Sequence, residues 1–230
     1  MSGVDGMRGL VRQILNELVR RWPELDVCRT AIEAAFEALS QCYAAQNKVM
    51  VCGNGGSAAD AEHIVGELMK GFRYKRLLSH SDREKLQSGA PQDWPYLVAN
   101  LQGALPAISL VSQTALLSAV ANDLSPEMVY AQQVYGYGHA GDLLIGLSTS
   151  GNAQNVINAF KVARAFGINT LGMTGHHGGG IAQVAAVTIQ VPTTDTFKAQ
   201  EYHLPIYHAL CAMIEAEFVS RGRLTAGITV

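Results

Sequence analysis

The chain has 230 residues, 48% of them hydrophobic and 16% charged, which suits one α/β domain with a substantial core. Lys and Arg total 17 against 19 Asp and Glu, a formal net charge of -2 with no basic run, which excludes the electrostatic footprint of a nucleic-acid binder. No stretch approaches the roughly 20 apolar residues needed to span a bilayer, and Met1 to Arg20 mixes charges with apolar residues instead of forming a signal-peptide core, so a cytoplasmic protein without membrane contact is expected.

In chain order, apolar residues recur three and four apart from Leu10 to Val19 and again from Ala31 to Ala45, which predicts two amphipathic N-terminal helices within residues 1–46, joined near Pro23. Lys48 to Cys52 is a short apolar run that ends in Gly53, and a helical pattern follows from Ser57 to Met69. Further strand-like runs cover Pro106 to Val111, Asp142 to Leu147, Asn169 to Met173 and Val187 to Val191, separated by helical patterns. Strands that alternate with helices predict a parallel sheet covered on both faces. Residues 75–105 are polar and contain Pro91 and Pro95, a length that reads as an inserted loop or lid. From Thr196 to about Val219 the pattern is helical, with Gly222 as its expected stop.

Cys28, Cys42, Cys52 and Cys211 form no CxxC pair, so neither a disulfide framework nor a zinc-thiolate site is indicated, and buried apolar fillers are expected. Cys52 borders a glycine-rich loop, but its strand position argues against a nucleophile. His176 and His177 open a Gly-rich tract that reads as a turn after a strand rather than a metal tract.

Two loops carry the chemistry. Gly53-Asn54-Gly55-Gly56-Ser57 sits between a strand and a helix, where glycines bring backbone N–H groups close to an anion and Ser57 can serve as cap and ligand. It has neither the Walker spacing nor GxGxxG, so a nucleotide is not the expected ligand. Ser148-Thr149-Ser150-Gly151-Asn152 also follows a strand and opens a helix. A cap needs one hydroxyl, and three point to a bound oxyanion such as a sugar phosphate. Both loops fall at the carboxyl ends of parallel strands, where open α/β sheets place ligands.

The succession Val51 to His63, Asn122-Asp123, Gly146 to Asn152, and Gln200-Glu201-Tyr202-His203 with His208 resembles the sugar isomerase (SIS) family, and within it the phosphoheptose isomerases. The likeness covers nearly the whole chain apart from 75–105. It implies an SIS fold, a five-stranded parallel sheet between helices in three α/β/α layers. It further implies a single domain over residues 1–230, a homotetramer with interfacial active sites, and interconversion of sedoheptulose 7-phosphate with D-glycero-D-manno-heptose 7-phosphate for surface-polysaccharide synthesis. By the same resemblance His63, Glu67, Gln200 and His208 are metal positions with zinc the expected ion, and Glu67 and His208 are base and acid. The phosphate would rest on Ser148, Thr149 and Ser150, with Asn152 beside them. Asn54, Gly55, Gly56, Ser57, Asn122, Asp123 and Gln200 would complete the substrate site. Two positions depart from the family: Ala153 replaces a serine of the phosphate cradle, and Gly71 stands where an arginine is expected, with Lys70 or Arg73 as substitutes.

Read from the residues alone, His63 and Glu67 lie four apart on one helix and share a face, which serves a surface hydrogen bond as well as a metal. Aldose–ketose isomerisation needs a base and an acid, and one carboxylate with one imidazole suffices. Gln200 and His208, eight apart, differ by roughly 12 Å along a continuous helix. Either the helix starts after Gln200 or two subunits share the ion. Two other readings stay open: a non-catalytic SIS tetramer that binds a phosphosugar or a replication-initiator protein, and an isomerase for another phosphosugar.

Overall fold

The computed structural model describes residues 3–220 and 225–229. Helix α1 (Gly3–Arg21) and helix α2 (Arg29–Ala44) are joined by a 3-10 turn, Pro23–Cys28, whose first position is the proline. In α2 the buried residues Ile32, Ala35, Phe36, Leu39 and Tyr43 recur three and four apart, the stripe that drives the helix onto the sheet.

Five parallel strands follow in the order β3-β1-β4-β5-β6, with β1 (Val49–Gly53), β3 (Ala107–Ser109), β4 (Leu143–Ser148), β5 (Asn169–Thr174) and β6 (Val187–Gln190). All five expected strands form, with ends that shift by a residue or two. Side chains alternate across the sheet, so Val49, Val51, Leu143 and Ile145 enter one core while Met50, Cys52 and Leu144 enter the other. The first core is closed by α1, α2, α3 (Gly56–Met69) and α10 (Thr196–Ser220). The second is closed by α6 (Thr114–Asp123), α7 (Val129–Tyr137), α8 (Gln154–Ala165) and α9 (Ile181–Val184). This is the expected three-layer α/β/α arrangement. Among the described residues no helix is long and apolar enough to cross a membrane.

The segment 75–105 is not the open loop that its composition suggests. It contains α4 (His80–Gly89) and α5 (Trp94–Asn100), and strand β2 (Tyr74–Leu77) leads into it. Ser79 starts α4 by accepting the amide of Asp82 at 3.1 Å. Neither helix has a buried residue, which is why no apolar period announces them. β2 pairs antiparallel with β7 (Thr225–Thr229) outside the main sheet, a pairing with no signal in the sequence. α10 is continuous across Gln200, Pro205 and His208, so the helix does not begin after Gln200. Its expected stop, Gly222, lies outside the described residues. Cys28, Cys42, Cys52 and Cys211 are all buried, and desolvation pushes the Cys52 thiol up to about 12, which agrees with an apolar filler and not with a nucleophile.

Candidate active site

Strands β1 and β4 are neighbours in register, Gly53 opposite Leu147, so both loops leave the sheet side by side at its carboxyl edge. They are tied together. Asn54 Nδ2 donates to Asn155 Oδ1 at 2.9 Å, and Asn155 Nδ2 donates back to Asn54 Oδ1 at 3.0 Å. The Tyr130 hydroxyl donates to the Gly53 carbonyl from α7 and stands 3.2 Å from Asn54 Oδ1. Asn155 and Tyr130 escaped the sequence reading, because their contacts are set by strand adjacency and not by spacing.

The first loop differs from expectation at its cap. Gly55, at φ 58°, is the N-cap of α3 and no side chain caps the helix; Ser57 is buried in the first turn. Gly53 is required by contact: a Cβ there would stand 2.6 Å from the Ser57 carbonyl oxygen. The Gln200 side chain lies over Gly56, where a Cβ would meet Gln200 Nε2 at 2.5 Å.

In the second loop Ser148 is buried, Thr149 half-buried and Ser150 exposed. The N-cap of α8 is Ala153, without a side-chain cap, so the Ser-Thr-Ser hydroxyls are not consumed in capping that helix. Asn152 is occupied within the protein: its Nδ2 donates to the Ser150 carbonyl at 3.1 Å and its Oδ1 accepts the Gly180 amide at 2.9 Å. Gly151, at φ 69°, lies so close to the next turn that a Cβ would stand 2.1 Å from the Gly178 carbonyl oxygen. The tract after His176 and His177 is thus a turn, as expected, and it buttresses the phosphate-type loop. Asn122 and Asp123 close α6 exposed to solvent, and the Asn122 amide donates to the Asp123 carboxylate at 2.8 Å. Among the described residues no hydrogen bond joins them to either loop.

A second cluster forms where α3 packs on α10. His63 Nε2 stands 3.3 Å from Glu67 Oε1 and 3.3 Å from His208 Nε2. The Glu67 side chain is 15% exposed, and Lys70 Nζ approaches its Oε2 at 3.4 Å, so Lys70 supplies a cation beside the carboxylate where Gly71 has none. Burial lowers the pKa of His208, nearby His63 lowers it further, and Glu67 opposes both. On the far side of His63, Nδ1 meets the Tyr207 hydroxyl at 3.0 Å, and that hydroxyl donates to Asp60 Oδ1 at 3.2 Å. Burial raises the Asp60 carboxyl, opposed by the Tyr207 hydrogen bond and by His63.

Two imidazoles and a carboxylate are donor types that suit zinc, and 3.3 Å is about the spacing of neighbouring tetrahedral ligands held at 2.0–2.1 Å. Among the described residues, however, no group of three or more His, Cys, Asp or Glu side chains is placed to hold an ion. Gln200 sits at the Gly56 end of the α3–α10 pair, eight residues and roughly 12 Å before His208. His208 also borders a groove of about 660 Å³ between α1 and α10, lined by Leu10, Ile14, Trp22, Phe72, Arg73 and Leu204. Neither loop lines this groove.

The model for the SIS domain matches residues 13–84 and 98–175, more than half of the chain. The chain belongs to the SIS family. Within it the likeness is to phosphoheptose isomerases: that of Citrifermentans bemidjiense is 37% identical over 84% of this chain and 87% of its own. That of Nitratiruptor sp. is 38% identical over 86% and 90%. Among solved structures, the phosphoheptose isomerase of Neisseria gonorrhoeae superposes with a TM-score of 0.67 at 31% identity, covering 90% of this chain and 98% of that one. That of Francisella tularensis gives 0.69 at 25%, covering 93% and 98%. The SIS match skips residues 85–97, so the unmatched stretch is narrower than the 75–105 that the motifs outline.

Proposed function

We propose that this SIS protein interconverts sedoheptulose 7-phosphate and D-glycero-D-manno-heptose 7-phosphate by enediol proton transfer, as a homotetramer. The observation that carries the reading is the gathering of Glu67, His63 and His208 at one point of a molecule whose two Ser/Gly loops are bound to each other at adjacent strand ends.

The phosphate rests on Ser148, Thr149 and Ser150, at the N-terminal end of α8. Asn54, Gly55, Gly56, Ser57 and Gln200 line the sugar, with Asn122 and Asp123 approaching from α6. Glu67 takes the proton from the carbon next to the carbonyl and returns it to the neighbouring carbon. His208, whose pKa burial lowers, moves the proton between the two oxygens. Zinc would need Gln200 of a neighbouring copy to complete the set that His63, Glu67 and His208 begin, and there it would stabilise the negative charge of the enediolate.

Assembly has its own support. Gly56 and Glu67 are eleven residues apart on α3, roughly 16 Å along the axis, a wide gap for one small sugar phosphate. The loops of one copy paired with the carboxylate of another close that gap, and the groove beside His208 gives the apolar surface for contact.

Assay of the purified chain with sedoheptulose 7-phosphate tests the reading. Turnover is expected, reduced about 10²–10⁴-fold in Glu67→Gln. No turnover above that variant, with or without zinc, leaves a binding module in place of an enzyme. A different phosphosugar is the second reading, favoured by the unmatched residues 85–97, and parallel assays on hexose and heptose phosphates separate the two.

A further inference from the structure

We infer that Tyr207 and Asp60 are positioning residues that hold His63 in the tautomer with its proton on Nδ1, so that Nε2 faces Glu67 and His208 as a lone pair. A tyrosine hydroxyl carries one proton. That proton is directed at Asp60 Oδ1, 3.2 Å away, and a carboxylate at neutral pH accepts only. The Tyr207 oxygen is therefore left with lone pairs toward His63 Nδ1, at 3.0 Å, and a favourable contact requires the imidazole to donate. In a neutral ring the other nitrogen then has no proton. His63 Nε2 can accept an N–H from His208 or bind a cation, and it offers no proton to Glu67.

The chain of contacts is well held. Tyr207 is buried on α10, its ring meets the His63 ring edge-on with centroids 5.4 Å apart, and Asp60 lies one helical turn before His63 on α3. Partners behind an imidazole fix its tautomer and orientation and raise its basicity. The Tyr207–Asp60 contacts carry the tautomer, against the pull of Glu67 Oε1 at 3.3 Å from Nε2; its value for turnover rests on the isomerase reading above.

The experiment is long-range ¹H–¹⁵N NMR of the full-length, metal-free protein at about pH 8. The His63 signals are assigned by their loss in His63→Gln. The wild type should show Nδ1 protonated and Nε2 bare. Tyr207→Phe keeps the ring packing and removes the acceptor, so the tautomers should mix. Asp60→Asn keeps the shape but offers an N–H to the Tyr207 oxygen, which frees the hydroxyl to donate, so His63 should move toward the Nε2-protonated form. Zinc affinity, measured by competition with a chromophoric chelator, should fall about 10-fold or more in both variants. A wild-type His63 protonated on Nε2, or a tautomer unmoved in both variants, overturns the inference. The NMR readout needs neither substrate nor turnover, so failure of the isomerase assay leaves it standing.

Discussion

Arg76 Nε donates to Glu215 Oε1 at 2.7 Å, with both side chains wholly buried between the end of α3 and α10. The same guanidinium donates to the Leu68 carbonyl at 2.6 Å and the Glu67 carbonyl at 3.0 Å, and Glu215 accepts the amides of Phe72 and Arg73 at 2.9 and 2.7 Å. The pair thus satisfies the last carbonyls of the helix that carries Glu67 and fastens them to the helix that carries His208.

Glu215→Gln should expose this dependence. Removing one partner leaves a buried charge uncompensated, at a cost of roughly 3–5 kcal/mol. Urea unfolding should report that loss, and a thermal melt a fall on the order of 10 °C. The double variant Arg76→Met with Glu215→Leu should recover much of it, because two apolar side chains leave no lone charge behind. Equal stability of wild type and Glu215→Gln would mean that the clamp contributes nothing.

Ser150→Ala should weaken phosphate binding. Ser150 is the exposed hydroxyl of the second loop, and its Oγ already accepts the Asn152 amide at 3.1 Å, which leaves its proton free for an incoming oxyanion. The loss should be roughly 1–3 kcal/mol, seen as a raised KM or a weaker Kd for inorganic phosphate. Unaltered values for both would remove the phosphate from this loop.

His203 predicts an acid-sensitive stability. Its ring is fully buried, Nε2 stands 3.3 Å from the Thr174 carbonyl, and Nδ1 has no hydrogen-bond partner among the described residues. Desolvation pushes its pKa down to about 4 from 6.5, and the bond to Thr174 only partly opposes that. The unfolded chain therefore binds the proton first. Stability is full above about pH 6.5 and is lost as pH falls toward 4, by roughly 3 kcal/mol. Denaturant titrations at pH 7.5 and 4.5 should show this difference in wild type and a smaller one in His203→Asn. Identical pH slopes in the two proteins would acquit His203.

Much of this is legible in the sequence. The five strands, the two N-terminal helices, the placing of both loops at strand ends and the pairing of His63 with Glu67 follow from short apolar runs bounded by turn residues, from the 3.6-residue period and from glycine at forced turns. What escaped has more than one cause. Asn155, Tyr130, Tyr207 and Arg76 act across packed elements, at sequence separations that local pattern does not report. The helices α4 and α5 escaped for another: with no buried face they leave no apolar stripe to read. Ser57 misled because a serine beside a glycine-rich turn suits a cap, whereas Gly55 takes that position at positive φ.

The sequence alone determined the architecture and the chemical types available, since burial period and turn residues are properties of the local chain. Only tertiary structure decided which of those groups meet. The parallel run of α3 beside α10 sets Gln200 over Gly56 and brings His208 and Tyr207 to opposite nitrogens of His63. That choice comes from packing two helices on one sheet face, where a side chain's neighbours are fixed by the interface and not by its place in the chain.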